Sequence, residues 1–333
     1  MSESFPTVPR ITTGKVVGQP DFTRLPRFSA PTTFAALPTP GEVSDLDVAI
    51  VGVPYDSGVS YRPGTRFGPE HIRNASKLLR PYNPEADSWP FQSQQIADLG
   101  DIGVNPYNID EAITSIERSM RSVLERAPKL LVLGGDHSIA LPTLRALHAV
   151  HGPIAVVHFD AHLDTWDTYF NTPVLHGTPF RRASEEGLLD QEACMHIGTR
   201  GGLYAPGDMD DDRALGFATV RCEEIEFAGL HGAIEKLKAR VGQRPVYVSV
   251  DIDVLDPAFA PGTGTPESGG MTSRELLTML RSMKSLNVVG GDIVEVSPAY
   301  DHADITGIAA AHVGYEILSA ISPAVDLSAL RTR

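Results

Sequence analysis

Short apolar runs rich in β-branched residues recur at 47–53, 130–133, 154–159, 196–198, 218–220, 246–252 and 288–294. They constrain the fold more than any other feature of the chain. Each is too short for a stable helix and apolar at successive positions, which is the pattern of a strand buried on both faces. Between them Ile113, Ile116, Met120, Val123 and Leu124, and again Leu230, Ile234, Leu237 and Val241, repeat at the three- and four-residue spacing of amphipathic helices. Thr272-Ser-Arg-Glu275 ahead of Leu276, Leu277 and Leu280 has the reciprocal capping pattern that starts a helix. Parallel strands need crossover connections, so this alternation predicts a three-layer α/β fold, a mainly parallel sheet with helices on both faces.

No repeat, low-complexity tract or linker interrupts residues 45–325, which are expected to form one domain. Residues 1–44 read differently. Pro6, Pro9, Pro20, Pro26, Pro31, Pro38 and Pro40 fix φ and remove amide donors, so an extended arm is expected there, with neither a helix nor a central strand. Such an arm would dock on the body or on a neighbouring subunit.

Charge and cysteine usage narrow the partners. The 333 residues carry 28 Lys plus Arg against 42 Asp plus Glu, a net −14, which disfavours nucleic acid as a partner. Cys194 and Cys222 fit neither a CxxC metal site nor a disulfide scaffold. The first ten residues lack an apolar leader core, and no run approaches the ~18 apolar residues of a membrane span. A cytoplasmic protein without membrane contact is expected.

In parallel sheets ligands bind beyond the carboxyl ends of the strands, so polar residues that end an apolar run are the first candidates for chemistry. LLVL ends in GGDHS (134–138), AVVHF in DAHLD (160–164) and VYVSV in DIDVLDP (251–257). Residues two apart on a strand share a face, which groups Asp251 with Asp253, and Asp160 with His162 and Asp164 if the strand continues. Converging carboxylates need a counter-charge, and a divalent metal supplies it. With His137 the set is four Asp and two His, an oxygen-rich donor mixture that suits Mn²⁺ better than zinc. Asp256, before Pro257, reads as a turn residue, and His158 as a satisfied core histidine. Gly262-Thr-Gly264-Thr-Pro-Glu267 begins like a dinucleotide fingerprint but ends in Glu after a Pro-rich turn, and no GxxxxGK[ST], HExxH or GxSxG is present.

GGDHS, DAHLD, SVDIDVLDPAFAPGTGTPE and DIVEVSPAYD, in this order, resemble the ureohydrolase family of arginases and agmatinases over about 46–321. SGVSYRPGTRFGPEHIR and LDTWDTYF are most similar to bacterial agmatinases. The resemblance implies two Mn²⁺ ions bridged by Asp160 and Asp251, with His137 and Asp164 completing one and His162 and Asp253 the other. Ions about 3.5–4 Å apart can share a water and make it a hydroxide nucleophile near neutral pH. The family pattern places Glu295 on the substrate guanidinium, His176 as proton shuttle to the leaving amine, and Thr265 near the substrate. Trp166 stands where arginases carry an Asn that binds the α-amino acid end, which favours a substrate with an aliphatic tail.

The implied activity is hydrolysis of agmatine to putrescine and urea. The alternatives are the same reaction on 4-guanidinobutyrate or 3-guanidinopropionate, a zinc deacetylase on the related fold, or a ligand-binding relative without turnover. The family also implies a homo-oligomer, trimer or hexamer. Which loop residues meet the substrate tail, and whether Cys194 and Cys222 are close in space, have no signal in the sequence.

Overall fold

The computed structural model describes residues 8–323; Pro6 and the ends of the expected arm and domain, 1–7 and 324–325, lie outside the described residues. The arm forms an antiparallel hairpin, β1 (Arg10–Thr13) and β2 (Val16–Pro20), followed by two short 3-10 turns, Arg27–Ser29 and Phe34–Ala36. It stays out of the main sheet. The described part of the arm packs on the chain's own body: Phe34 is fully buried with its amide on Asp98 Oδ2 (2.7 Å), and Gln19 Nε2 donates to the Ala35 carbonyl at 2.9 Å.

Eight parallel strands make the central sheet: β3 (Val48–Val53), β4 (Ile96–Asp101), β5 (Lys129–Gly134), β6 (Ala155–Phe159), β7 (Cys194–Thr199), β8 (Phe217–Arg221), β9 (Pro245–Asp251) and β10 (Asn287–Val294). Their spatial order is β4-β3-β5-β10-β9-β6-β7-β8. Every run predicted as a strand is one. β4 was not foreseen, because IADLGD mixes Asp and Gly with its apolar residues and loses burial toward its end. It lies at a sheet edge, where one neighbour asks for less apolar surface.

Successive residues of a strand face opposite ways, and the core divides accordingly. Val48 and Ile50 belong to one apolar cluster, Ala49, Val51 and Val53 to the other. The first is covered by α1 (Gly68–Ser76), α6 (Cys222–Val241), α7 (Ser273–Ser282) and α8 (Ile305–Ile321); the second by α2 (Ile109–Leu124), α3 (Ala140–His151) and α4 (Pro179–Glu185). A seventh-strand connection carries α5 (Asp208–Ala214). The helix over 230–241 occupies the second part of α6, beyond a break at Gly229, and the Thr272–Glu275 capping box opens α7. α8 is buried around most of its circumference, so it shows no amphipathic stripe to read. No helix among the described residues is long and apolar enough to cross a membrane.

Candidate metal centre and active site

The carboxyl ends of four adjacent strands, β5, β10, β9 and β6, place His137, Glu295, Asp251 and Asp160 side by side. After β5 the chain turns at Gly135, with φ +40°, where an added Cβ would stand 2.5 Å from the Val53 carbonyl oxygen. That turn is open to glycine alone. It delivers Asp136, which accepts from the amides of Gly58 (2.7 Å) and Ser138 (3.0 Å). Burial, reinforced by nearby Glu295, pushes the Asp136 carboxyl up to about 7.

His137 is fully buried. Its Nε2 is 2.8 Å from Ser249 Oγ, which itself donates to Asp292 Oδ1 at 2.7 Å, and Nδ1 is thereby presented to Asp164 Oδ2 (2.8 Å), Asp160 Oδ2 (3.3 Å) and Asp251 Oδ2 (3.6 Å). Nδ1 makes no well-directed hydrogen bond of its own. His162 Nδ1 faces Asp160 Oδ1 and Asp253 Oδ2, both at 3.2 Å. Asp253 in turn accepts from the Ala161 amide and from Thr265 Oγ1, each at 3.2 Å.

Two groups of ligand atoms therefore converge: His137, His158, Asp160 and Asp164 in one, Asp160, His162 and Asp253 in the other. Asp160 is common to both. Asp251 stands beside the first, within reach of His137. His158 is a buried, satisfied histidine as expected, but one of its partners is Asp160 Oδ2, at 2.8 Å. Two residues along the same strand put both side chains on one face.

The electrostatics ask for positive charge. Burial raises Asp164, Asp251 and Asp253, the last to about 6, and neighbouring carboxylates raise them further. Burial would depress His137 and His162, yet the surrounding aspartates carry both well above the ordinary imidazole range. A buried imidazole nitrogen without a directed partner, aimed at three carboxylate oxygens, is a donor set that a divalent cation satisfies.

Asp164 and Glu295 both hold left-handed backbone, φ 55° and 62°, which aspartate tolerates and glutamate adopts uncommonly. Glu295 Oε1 takes the His137 amide at 2.9 Å and lies 3.2 Å from His176 Nδ1, while Oε2 is buried without a partner. His176 Nε2 meets Ser60 Oγ at 2.7 Å. Burial lowers this imidazole, but the Glu295 contact prevails and moves it up to about 9.

A cleft of about 310 Å³ opens over this centre, its floor formed by His162, Asp164 and Asp251, its walls by His176, Trp166, Tyr204, Thr265 and Glu267. Trp166 and Tyr204 meet edge to face with centroids 5.1 Å apart. Every residue singled out from the sequence is thus brought to one place. Asp256 is a turn residue, accepting from the amides of Ala258, Gly269 and Gly270. Sequence reasoning missed Ser60, Tyr204 and Glu267 as site residues. Glu267 stood out in the sequence only as the residue that spoils the dinucleotide-like GTGTPE, which says nothing of a place in the cleft.

The arginase family model matches residues 46–319. The chain belongs to the arginase family. Proclavaminate amidinohydrolase of Streptomyces clavuligerus is 44% identical, over 88% of this chain and 94% of the relative. Guanidinobutyrase of Pseudomonas aeruginosa is 44% identical, over 88% and 93%, and the mitochondrial agmatinase of Gallus gallus is 44% identical, over 85% and 83%. The solved structure of the Streptomyces amidinohydrolase superposes with a TM-score of 0.86 at 43% identity, covering 90% of this chain and 99% of that one. This arginase-family chain is a metal-dependent ureohydrolase with a His/Asp metal site. Relatives at equal identity bear different substrate names, so the family by itself leaves the substrate open.

Proposed function

We propose that this ureohydrolase cleaves agmatine to putrescine and urea, holding two Mn²⁺ ions on His137, Asp160, His162, Asp164, Asp251 and Asp253. The observation that carries the choice of substrate is the cleft wall. Among the residues lining it there is no Lys or Arg, while Glu267 contributes a carboxylate for which no hydrogen bond or ion pair is found among the described residues. A cationic tail is served by that wall, and a carboxylate tail is not.

Those six residues would hold the ions, whose positive charge would make a water nucleophilic near neutral pH. The chain's own residues do the rest. Glu295 Oε2, buried and unpartnered, is the acceptor for a guanidinium N–H, and it fixes the electrophilic carbon above the floor of the cleft. His176, cationic because of Glu295, holds a proton at the leaving amine's side, and Ser60 Oγ keeps its ring from turning. Trp166 and Tyr204 wall the tetramethylene chain without adding charge, and Thr265 steadies Asp253.

4-Guanidinobutyrate is the second reading, favoured by the 44% identity to a guanidinobutyrase. Urea release on agmatine, arginine, 4-guanidinobutyrate and 3-guanidinopropionate, with and without Mn²⁺, tests the choice. Arginine would bury a carboxylate beside Glu267 and Trp166, so agmatine should exceed it by roughly 10³-fold in kcat/KM. Equal or better turnover of 4-guanidinobutyrate overturns the agmatinase reading and leaves the mechanism intact.

Residues 45–325 are read in the same proposal as one catalytic domain, with the arm 1–44 available for assembly into a trimer or hexamer. The free thiols of Cys194 and Cys222 support a cytoplasmic setting.

A further inference from the structure

Arg200, the first residue past β7, is 9% exposed, and no carboxylate pairs with it among the described residues. Its side chain donates to backbone carbonyls instead: Nε to Ser268 (3.2 Å), Nη1 to Gly198 (3.2 Å) and Val254 (3.1 Å), and Nη2 to Asp253 (2.6 Å), Leu255 (3.2 Å) and Glu267 (2.7 Å). Its own amide donates to the Ala161 carbonyl at 2.9 Å, between Asp160 and His162. A buried charge without an ionic partner is costly unless its donors are used, and here every nitrogen of the guanidinium is.

Three segments of the site thereby share one anchor. The DAHLD loop holds the main chain of Arg200, the turn that carries Asp253 takes part of the guanidinium, and the loop that carries Thr265 and Glu267 takes the rest. At the next residue, Gly201 with φ +73°, an added Cβ would stand 2.9 Å from Glu267 Cδ, so the Glu267 side chain lies directly over bare backbone. Arg200 fixes the main chain of Glu267, and Gly201 leaves room for its carboxylate. Lysine could not replace this fork, since an ammonium is a point charge with fewer donors and no fixed plane.

We propose that Arg200 is a positioning residue for substrate length: it sets the Glu267 carboxylate at a fixed reach from Glu295, and that reach selects the number of methylenes between guanidinium and tail amine. The inference rests on the agmatine reading, in which Glu295 receives the guanidinium and Glu267 the tail amine. Both cationic ends find their carboxylates together only when the chain between them matches the span. Each carboxylate is tied to backbone, Glu295 through the His137 amide and Glu267 through Arg200, so the span does not adjust freely to the substrate. A chain one methylene shorter or longer leaves one end without its partner.

Aminoalkylguanidines with three, four and five methylenes test it on the manganese-loaded enzyme. Wild type should prefer the four-methylene chain in kcat/KM, and Arg200→Lys should reduce that preference by roughly 10-fold or more, through KM and not kcat. Equal losses on all three lengths, with the preference kept, would make Arg200 a support of the fold alone and overturn the proposal. Gly201→Ala serves where Arg200→Lys does not fold: it keeps the guanidinium contacts and displaces only the Glu267 carboxylate, so the same preference should be lost. A Gly201→Ala enzyme with the wild-type length profile also overturns the proposal. Wild type without any preference among the three lengths defeats the agmatine reading instead. Crystal structures of wild type and the variant that folds then decide the placement, since a Glu267 carboxylate left within about 0.5 Å of its wild-type position overturns it.

Discussion

The backbone amide of His137 donates to Glu295 Oε1 at 2.9 Å, although the two residues are 158 positions apart. One carboxylate oxygen is therefore committed to holding the end of β5 against the end of β10, and the other is left for substrate. Glu295→Gln can keep the first contact through its amide oxygen while losing the charge opposite the guanidinium. Its kcat/KM should fall at least ~100-fold, on the order of 3 kcal/mol for a charged hydrogen bond, with manganese content near wild type. Loss of manganese along with activity, measured by atomic absorption, would place Glu295 in the metal framework instead.

Stripping the metal should abolish urea formation, and Mn²⁺ should restore it. The raised carboxylates Asp164, Asp251 and Asp253 and the raised imidazoles His137 and His162 all bind more protons folded than unfolded in the metal-free protein, with Asp160, held below the ordinary range by its three histidine neighbours against the effect of burial, as the opposing group. Groups raised by folding stabilise at low pH and lose that contribution as pH rises through their folded values. The Tm gap between manganese-loaded and metal-free protein should accordingly widen from pH 5 to pH 8. A gap that narrows over this range contradicts the assignment.

Asp160 lies in both ligand groups and Asp164 in one. Asp160→Ala should therefore lose both ions and Asp164→Ala should retain one, read as metal-to-protein stoichiometry after dialysis. A full pair of ions on Asp160→Ala would remove it from the shared position.

Away from the centre, His71 Nε2 meets Asp301 Oδ2 at 2.8 Å beneath the start of α8. The Asp301 contact raises His71 despite burial; burial opposes ionisation of Asp301, but His71 and the amides of Thr306 and Gly307 hold it down to about 2. The aspartate's contribution is present above about pH 4 and lost as pH falls through 2, and the histidine's is present below about pH 6.5 and lost as pH climbs through its raised value. Thermal melts of His71→Gln against wild type should differ most between pH 4 and 6.5, and a difference that grows above pH 8 would contradict the ion pair.

The sheet and the metal residues were legible because one physical rule covers both: strands buried on two faces must be apolar until they reach a carboxyl end, so the polar residues at 137, 160, 251 and 253 stand out. α8 carries no such contrast, being apolar on nearly every side. β4 hid for the opposite reason, as an edge strand with polar residues. Ser60, Tyr204 and Glu267 reach the cleft from three separate loops, and His196 meets His158 through pairing of β6 with β7. Proximity of that kind follows from tertiary closure and leaves no local periodicity.

The strand order has a consequence for biosynthesis. β10 is the last strand translated, yet it lies between β5 and β9. Until it emerges, β3, β4 and β5 can pair only among themselves, as can β6, β7, β8 and β9, and each partial sheet exposes an apolar edge with open amides and carbonyls. Such edges invite pairing with other chains. A nascent chain stalled before residue 287 thus holds His137 on one half and Asp160, Asp251 and Asp253 on the other, and is the form of this protein most in need of a chaperone. Insertion of one late strand both seals the sheet and unites the catalytic halves.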